Sequence, residues 1–145
     1  MLSVATPDDL EEVFNLLLVM HAENGVGRLD EPKARGAISE IINSGGCLIS
    51  KQNGKIVGSV GLTMTSWWYS RDRFLVDEWF FVHPDNRSEG HATQLIGWMK
   101  TAAQTCGTPV VLSVGTTVDA LSKLKYFRKH LTPFGGAFIY QPKAA

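Results

Sequence analysis

Val82-His83-Pro84-Asp85-Asn86-Arg87-Ser88-Glu89-Gly90-His91-Ala92 joins an apolar, strand-like run to an amphipathic helix. His83 precedes a proline and helps to form the turn, because proline disfavours helical geometry in the residue before it. Within the loop stands Arg87-x-x-Gly90-x-Ala92. Its small residues let the backbone approach a ligand, and the unpaired N–H groups at a helix start attract anions. A pyrophosphate suits such a place, and so does a plain strand–turn–helix connection with no ligand. The loop is not a Walker loop, since no G-x-x-x-x-G-K-[ST] occurs, and it lacks the first glycine of a Rossmann fingerprint.

Upstream, Phe74 to His83 reads as a long strand with Glu78, Phe80 and Val82 on one face and Asp77, Trp79 and Phe81 on the other. Before it, Cys47–Ser50 and Ile56–Thr65 flank Gln52-Asn53-Gly54-Lys55, and Asn-Gly between apolar runs is a hairpin signal. Two helices come first. Thr6-Pro7-Asp8-Asp9 has a cap, a proline at the first helical position and acids that complement the dipole. Leu10, Val13, Phe14, Leu17 and Leu18 then continue an amphipathic helix to about His21, where Asn24-Gly25 breaks it. The second helix reads from Pro32 to Asn43, with Ala34, Ile38, Ile41 and Ile42 inward and Gly45-Gly46 as its stop.

Downstream, a helix runs from about Gly90 to Thr105 on Ala92, Leu95, Ile96, Met99 and Ala103. Pro109 to Val114 reads as a short buried strand. Asp119 can cap a last helix with Ala120, Leu124 and Phe127 inward, and Ala137 to Tyr140 reads as a closing strand. Helices, then an antiparallel run, then strand–helix–strand define a mixed α/β sandwich rather than a doubly wound sheet.

The chain has 145 residues and no formal net charge. That length suits one domain, and a fold of this size buries about 68–70% of its unfolded surface without needing staples. Neutrality argues against a nucleic-acid binder, which carries a basic excess. The charge is nonetheless uneven. Acids crowd residues 1–50, while Lys123, Lys125, Arg128, Lys129 and Lys143 face no acid after residue 119. Cys47 and Cys106 show no metal-ligand spacing, and neither do His83 and His91, so no metal site is expected. The longest aliphatic run, Leu16 to Met20, is too short for a bilayer, and Met1-Leu2-Ser3-Val4 lacks signal-peptide features. The expectation is a cytoplasmic protein with no membrane partner.

The segment from Val82 to Ala92 resembles the [RQ]-x-x-G-x-[GA] loop of the GNAT acetyltransferase superfamily, preceded by that family's V-x-P. Tyr126-Phe127-Arg128-Lys129-His130-Leu131-Thr132-Pro133-Phe134-Gly135 is similar in spacing to its Y-E-K-x-G-F-x-P-x-G ending. The resemblance implies a mostly antiparallel mixed sheet with helices on both faces and a splayed strand pair, over one domain spanning residues 1–145. It implies acetyl-CoA as co-substrate, with the pyrophosphate on the backbone of Ser88, Glu89, Gly90, His91 and Ala92, and with Arg87 among the cofactor-binding residues. The pantetheine arm would pair with the backbone near Phe81 and Val82. It also implies direct transfer to a bound amine, on a small molecule or a peptide.

Such a transfer needs a base for the amine, a donor for the thioester oxygen and a proton for the departing thiolate. Tyr126 is the candidate acid. It lies about 100° around the last helix from Phe127 and so flanks the apolar stripe. Glu78 is the candidate base, on the strand leading into the loop, with Asp77 the lesser candidate. The segment His21 to Asp30 is expected to give an acidic rim that steers cationic amines. Trp67-Trp68-Tyr69 cannot all point inward, which leaves the acceptor cleft or a homodimer contact for part of the cluster. Glu89 and His130 depart from the family pattern and favour an alternative, a non-catalytic module that binds CoA or serves assembly.

Overall fold

The computed structural model describes residues 1–115 and 119–143. Its five strands lie in the order β1-β2-β3-β4-β5. β1 (Leu2–Val4), β2 (Cys47–Gln52), β3 (Lys55–Ser66) and β4 (Arg73–Val82) pair antiparallel, and β5 (Val110–Val111) adds to β4 in parallel. Helices α1 (Leu10–Asn24) and α2 (Glu31–Asn43) cover one face, and α3 (His91–Cys106) covers the other. α4 (Ala120–Arg128) follows β5. No helix among the described residues is long and apolar enough to cross a membrane.

The local signals act largely as expected. Asp9 accepts the Thr6 backbone N–H at 2.8 Å, although Pro7–Asp9 form a 3-10 turn before α1 begins. Asp30 caps α2 by accepting Lys33 N–H at 3.0 Å. α1 runs three residues past His21 before Gly25 ends it. Asn53 and Gly54 both take positive φ, which is the geometry that a two-residue hairpin turn requires. On the α1–α2 side Val13, Phe14, Ile38, Ile41, Ile49 and Phe81 pack together. On the α3 side Leu48, Val60, Val82, Leu95 and Met99 do the same. Each such side chain contributes about 1.5–3 kcal/mol on leaving water.

β4 departs from simple alternation. Gly61 pairs with Trp79 and Leu62 with Asp77, so Glu78 is the extra residue of a bulge. The bulge resets which face each side chain takes. Leu75 packs with Phe80 and Val82 beneath α3, while Trp79 and Phe81 face α1 and α2. Glu78 therefore does not share the face of Phe80 and Val82. It meets Thr63, whose neighbours Leu62 and Met64 turn toward α3.

Four further expectations are corrected. The strand read over Pro109–Val114 keeps ladder pairs only at Leu75–Val110 and Val76–Val111, because the next N–H, that of Ser113, bonds the Asp77 side chain instead. Asp119 precedes α4 at φ +52 but makes no side-chain cap. Leu124 is exposed, and no α4 side chain is fully buried. Ala137–Tyr140 form no strand, and Phe138 is fully exposed. A strand needs a partner's backbone, and two-residue β5 at the sheet edge is a short template.

Trp67 stacks on Phe74 with ring centroids 3.9 Å apart and also meets Phe134, whereas Trp68 and Tyr69 are exposed. Cys47 is buried beside Ser59, and Cys106 is exposed at the end of α3. Trp79 is fixed by its indole N–H donating to Ser59 Oγ at 3.0 Å. A Cβ on Gly61 would come within 2.6 Å of the Trp79 ring. Replacement Gly61→Ala should therefore lower stability by about 1–3 kcal/mol in urea unfolding, the usual cost of overpacking a filled site.

Candidate active site

A cleft of about 530 Å³ opens between the end of α1, strand β4, the start of α3 and helix α4. One end is the loop before α3. Pro84–Asn86 make a 3-10 turn, His83 Nδ1 accepts the Asp85 N–H at 3.2 Å, and Asn86 N–H donates to the His83 carbonyl at 2.9 Å. Gly90 takes φ +84 at the cap position, and no atom lies within 4 Å of where its Cβ would be. A left-handed turn in open space is what a glycine allows there. The N–H groups of His91, Ala92 and Thr93 then start α3 without intrahelical partners, as in any helix.

Arg87 turns into the protein. Its Nε donates to the Val82 carbonyl at 3.1 Å, its Nη2 meets Glu23 at 2.8 Å, and its guanidinium stacks over Phe81. His91, whose backbone the family resemblance places on the pyrophosphate, has a buried ring. Its Nε2 lies 2.7 Å from Gln52 Oε1, an acceptor, so Nε2 carries the proton. Nδ1 then accepts from Ser50 Oγ at 2.5 Å. Only the His91 backbone faces the loop mouth. Glu89 bonds Asn86 Nδ2 at 3.0 Å, which holds its carboxyl below the usual range, and leans toward His91. It does not line the cleft.

The other end is the gap between β4 and β5. Past Val76 and Val111 the two strands separate, and Asp77 Oδ1 accepts the Ser113 N–H at 2.8 Å where the next rung would be. This is the splayed pair. Burial pushes the Asp77 carboxyl up to about 6, against the pull of the Ser113 N–H. Asp77 and Glu78 both line the cleft, the latter exposed and 3.4 Å from Thr63 Oγ1. From the far wall Tyr126 reaches in, with its hydroxyl 2.6 Å from Thr93 Oγ1, while Phe127 packs edge-on against Phe80. His130 sits beside the Tyr126 ring.

The acidic rim expected from His21 to Asp30 is not formed. His21 bonds the Gly27 carbonyl, Glu23 pairs with Arg87 and Lys123, and Asp30 caps α2. The cleft takes His21, Asn24 and Gly25 from this segment, and its carboxylates are Asp77, Glu78 and Asp119. None of Trp67, Trp68 and Tyr69 lines it. Sequence reasoning missed Glu23, Thr93 and Ser113. Nothing marked Thr93 or Ser113, and Glu23 stood unremarked in an acid-rich run.

The acetyltransferase (GNAT) family model matches residues 10–131, and the chain belongs to that family. Among solved structures, a GCN5-related N-acetyltransferase from Ralstonia eutropha JMP134 is 18% identical. The match covers all of this chain and 99% of that one, with a TM-score of 0.75. A ribosomal-protein-alanine N-acetyltransferase from Brucella melitensis biovar Abortus 2308 is 17% identical over 99% of both chains, with a TM-score of 0.71. An aminoglycoside 6'-N-acetyltransferase from Acinetobacter haemolyticus is 13% identical, covering all of this chain and 99% of that one at a TM-score of 0.73. At these identities the likeness is one of fold. No curated protein matches the chain by sequence.

The Asp77 environment has a stability consequence. Its pKa is higher folded than unfolded, so between about 4 and 6 the folded state binds more protons and stability falls as pH rises. Asn at this position keeps an acceptor for Ser113 N–H without the charge. The variant Asp77→Asn should gain on the wild type as pH rises through 6. By pH 7.5 its advantage should reach about 2–3 kcal/mol, measured in parallel urea unfolding series at pH 4.5 and 7.5.

Proposed function

We propose that the chain is a cytoplasmic N-acetyltransferase domain spanning residues 1–145 that moves the acetyl group of acetyl-CoA directly to a primary amine, on a small molecule or a peptide. The observation that carries this reading is the single cleft joining the α3 loop to the β4–β5 gap. Acetyl-CoA, when bound, supplies a thioester carbonyl that an amine attacks, so that a C–N bond forms as the C–S bond breaks. The backbone N–H groups from Ser88 to Ala92 would hold its pyrophosphate, with Arg87 bracing the loop through Val82. Backbone of β4 at Phe81 and Val82, beyond the point where β5 leaves it and so without a strand partner on that edge among the described residues, would hold the pantetheine amides.

Glu78 takes the proton from the attacking nitrogen, directly or through water. Asp77 adds a second carboxyl whose raised pKa keeps it near the point of half-ionisation at mildly acidic pH. Both groups favour an acceptor that carries positive charge outside the reacting nitrogen. Tyr126 gives its hydroxyl proton to the departing thiolate. A phenol near 10 can do so for a thiol near 8.5 when a neighbour stabilises the phenolate oxygen, and Thr93 Oγ1 is placed for that. Glu89 is tied to Asn86 and does not line the cleft, which weakens one of the features that favoured a non-catalytic module.

Two measurements test the reading together. Acetyl-CoA should raise the melting temperature, and a panel of polyamine, aminoglycoside, amino-acid and peptide amines should release free thiol. Tyr126→Phe and Glu78→Gln should each lower kcat by about 10²-fold or more, the usual weight of a general acid or base. Stabilisation without thiol release from any amine would establish the non-catalytic module instead. Unchanged turnover in Tyr126→Phe would remove the acid assignment.

A further inference from the structure

Glu23 is the penultimate residue of α1, and its side chain is 16% exposed. Its two oxygens are used by opposite walls of the cleft. Oε2 accepts from Arg87 Nη2 at 2.8 Å, in the loop before α3. Oε1 accepts from Lys123 Nζ at 3.1 Å, one hundred positions along the chain in α4. A carboxylate so far out of water is costly unless both its oxygens are paired, and the Arg87 bond holds its carboxyl below the usual range.

The α4 partner makes this pairing consequential. No α4 side chain is fully buried, so the helix has little apolar burial to fix its place. The contacts that hold it against the cleft include the Lys123–Glu23 pair, the Tyr126–Thr93 hydrogen bond and the edge-on Phe127–Phe80 contact. The last two anchor its C-terminal turn to α3 and β4. The ion pair anchors its middle to α1, and through Arg87 to the loop.

We infer that Glu23 is a positioning residue, a clasp that holds α4 and the Arg87 loop to the end of α1 and so fixes the width of the cleft and the reach of Tyr126. Its part in turnover rests on the acid role proposed for Tyr126, but its part in holding α4 does not. Without the carboxylate, the Arg87 guanidinium and the Lys123 ammonium lose the anion that both contact, and the attraction that draws the two walls toward α1 is gone. The helical part of the cradle, His91 and Ala92, stays anchored from beneath by the His91 ring, whereas Ser88 to Gly90 lie in the loop that Arg87 braces.

The test separates these effects. In Glu23→Gln, amide hydrogen exchange over residues 120–128 and 84–90 should quicken about tenfold or more, with β2 and β3 unchanged, as expected of local opening. Lys123→Met cuts one arm only and should quicken residues 120–128 while sparing 84–90. Turnover should show kcat lowered about tenfold in both variants, with KM for acetyl-CoA within about twofold in Lys123→Met, which spares the loop, a split that a general loss of folding does not produce. Glu23→Asp, which keeps the charge, should recover part of that kcat. Wild-type exchange over 120–128 in both Glu23→Gln and Lys123→Met overturns the inference. Should Glu23→Gln fail to fold, Lys123→Met decides it alone. If Tyr126→Phe turns over normally while exchange behaves as stated, the acid role falls and the clasp stands.

Discussion

Strand β4 cannot keep both its ladders. Along β3 it pairs over nine positions from Arg73 to Val82 with one residue left over, whereas along β5 it pairs over two. The leftover residue is Glu78, and the lost pairing begins at the neighbouring Asp77. Both events follow from the same local twist, since a bulge bends its strand and turns the following backbone away. Everything in the cleft depends on that bend. It leaves the Phe81 and Val82 backbone without β5, sets two carboxyl groups at the head of the gap, and moves Trp79 and Phe81 under α1 and α2.

The bend is held from two sides. On one, Trp79 fills the space that Gly61 leaves by having no side chain, and its indole is pinned by a fully buried Ser59 that also donates to the Leu48 carbonyl. On the other, the Asp77 carboxyl occupies the place of a missing rung by accepting the Ser113 N–H. The first support is tight packing. The second is a single hydrogen bond to a half-buried acid, so the gap can respond to what fills it more readily than the core can.

The charge pattern acquires a physical meaning here. The chain sums to zero with acids gathered early and bases late. Those halves do not form separate acidic and basic faces at the cleft, because they meet. Glu23 from the first helix takes Lys123 from the last and Arg87 from the loop before α3, and Lys51 pairs with Asp9. Charge segregated along the sequence is spent joining distant elements. The family and the run of elements from α1 to α3 were legible in the sequence because Val82–Ala92 and the Asn53-Gly54 turn carry their geometry in their own residues, whereas the three-residue strand β1 ahead of the two helices was missed. The bulge was not, since it shows only as a mismatch between two paired strands. Alternation therefore misassigned the face of Glu78 and ranked Asp77 below it as a candidate base. Nor could local signals find the His91 anchor, whose partners Ser50 and Gln52 lie some forty positions away. Ala137–Tyr140 had the composition of a strand, but composition does not supply the neighbour a strand needs.

The two cysteines live in opposite settings. Burial beneath α1 and α2 pushes the Cys47 thiol up to about 11, so that almost none of it is thiolate near neutral pH, whereas Cys106 closes α3 in open solvent. Since the thiolate is the reactive form, maleimides and disulfide reagents will find one sulfur in the native protein and two after unfolding. A dye can thus be placed at a single known point, at the far end of the helix that carries the cradle, without altering the sequence. The same asymmetry sets a fixed background of one sulfhydryl per chain wherever liberated thiol is counted by colour.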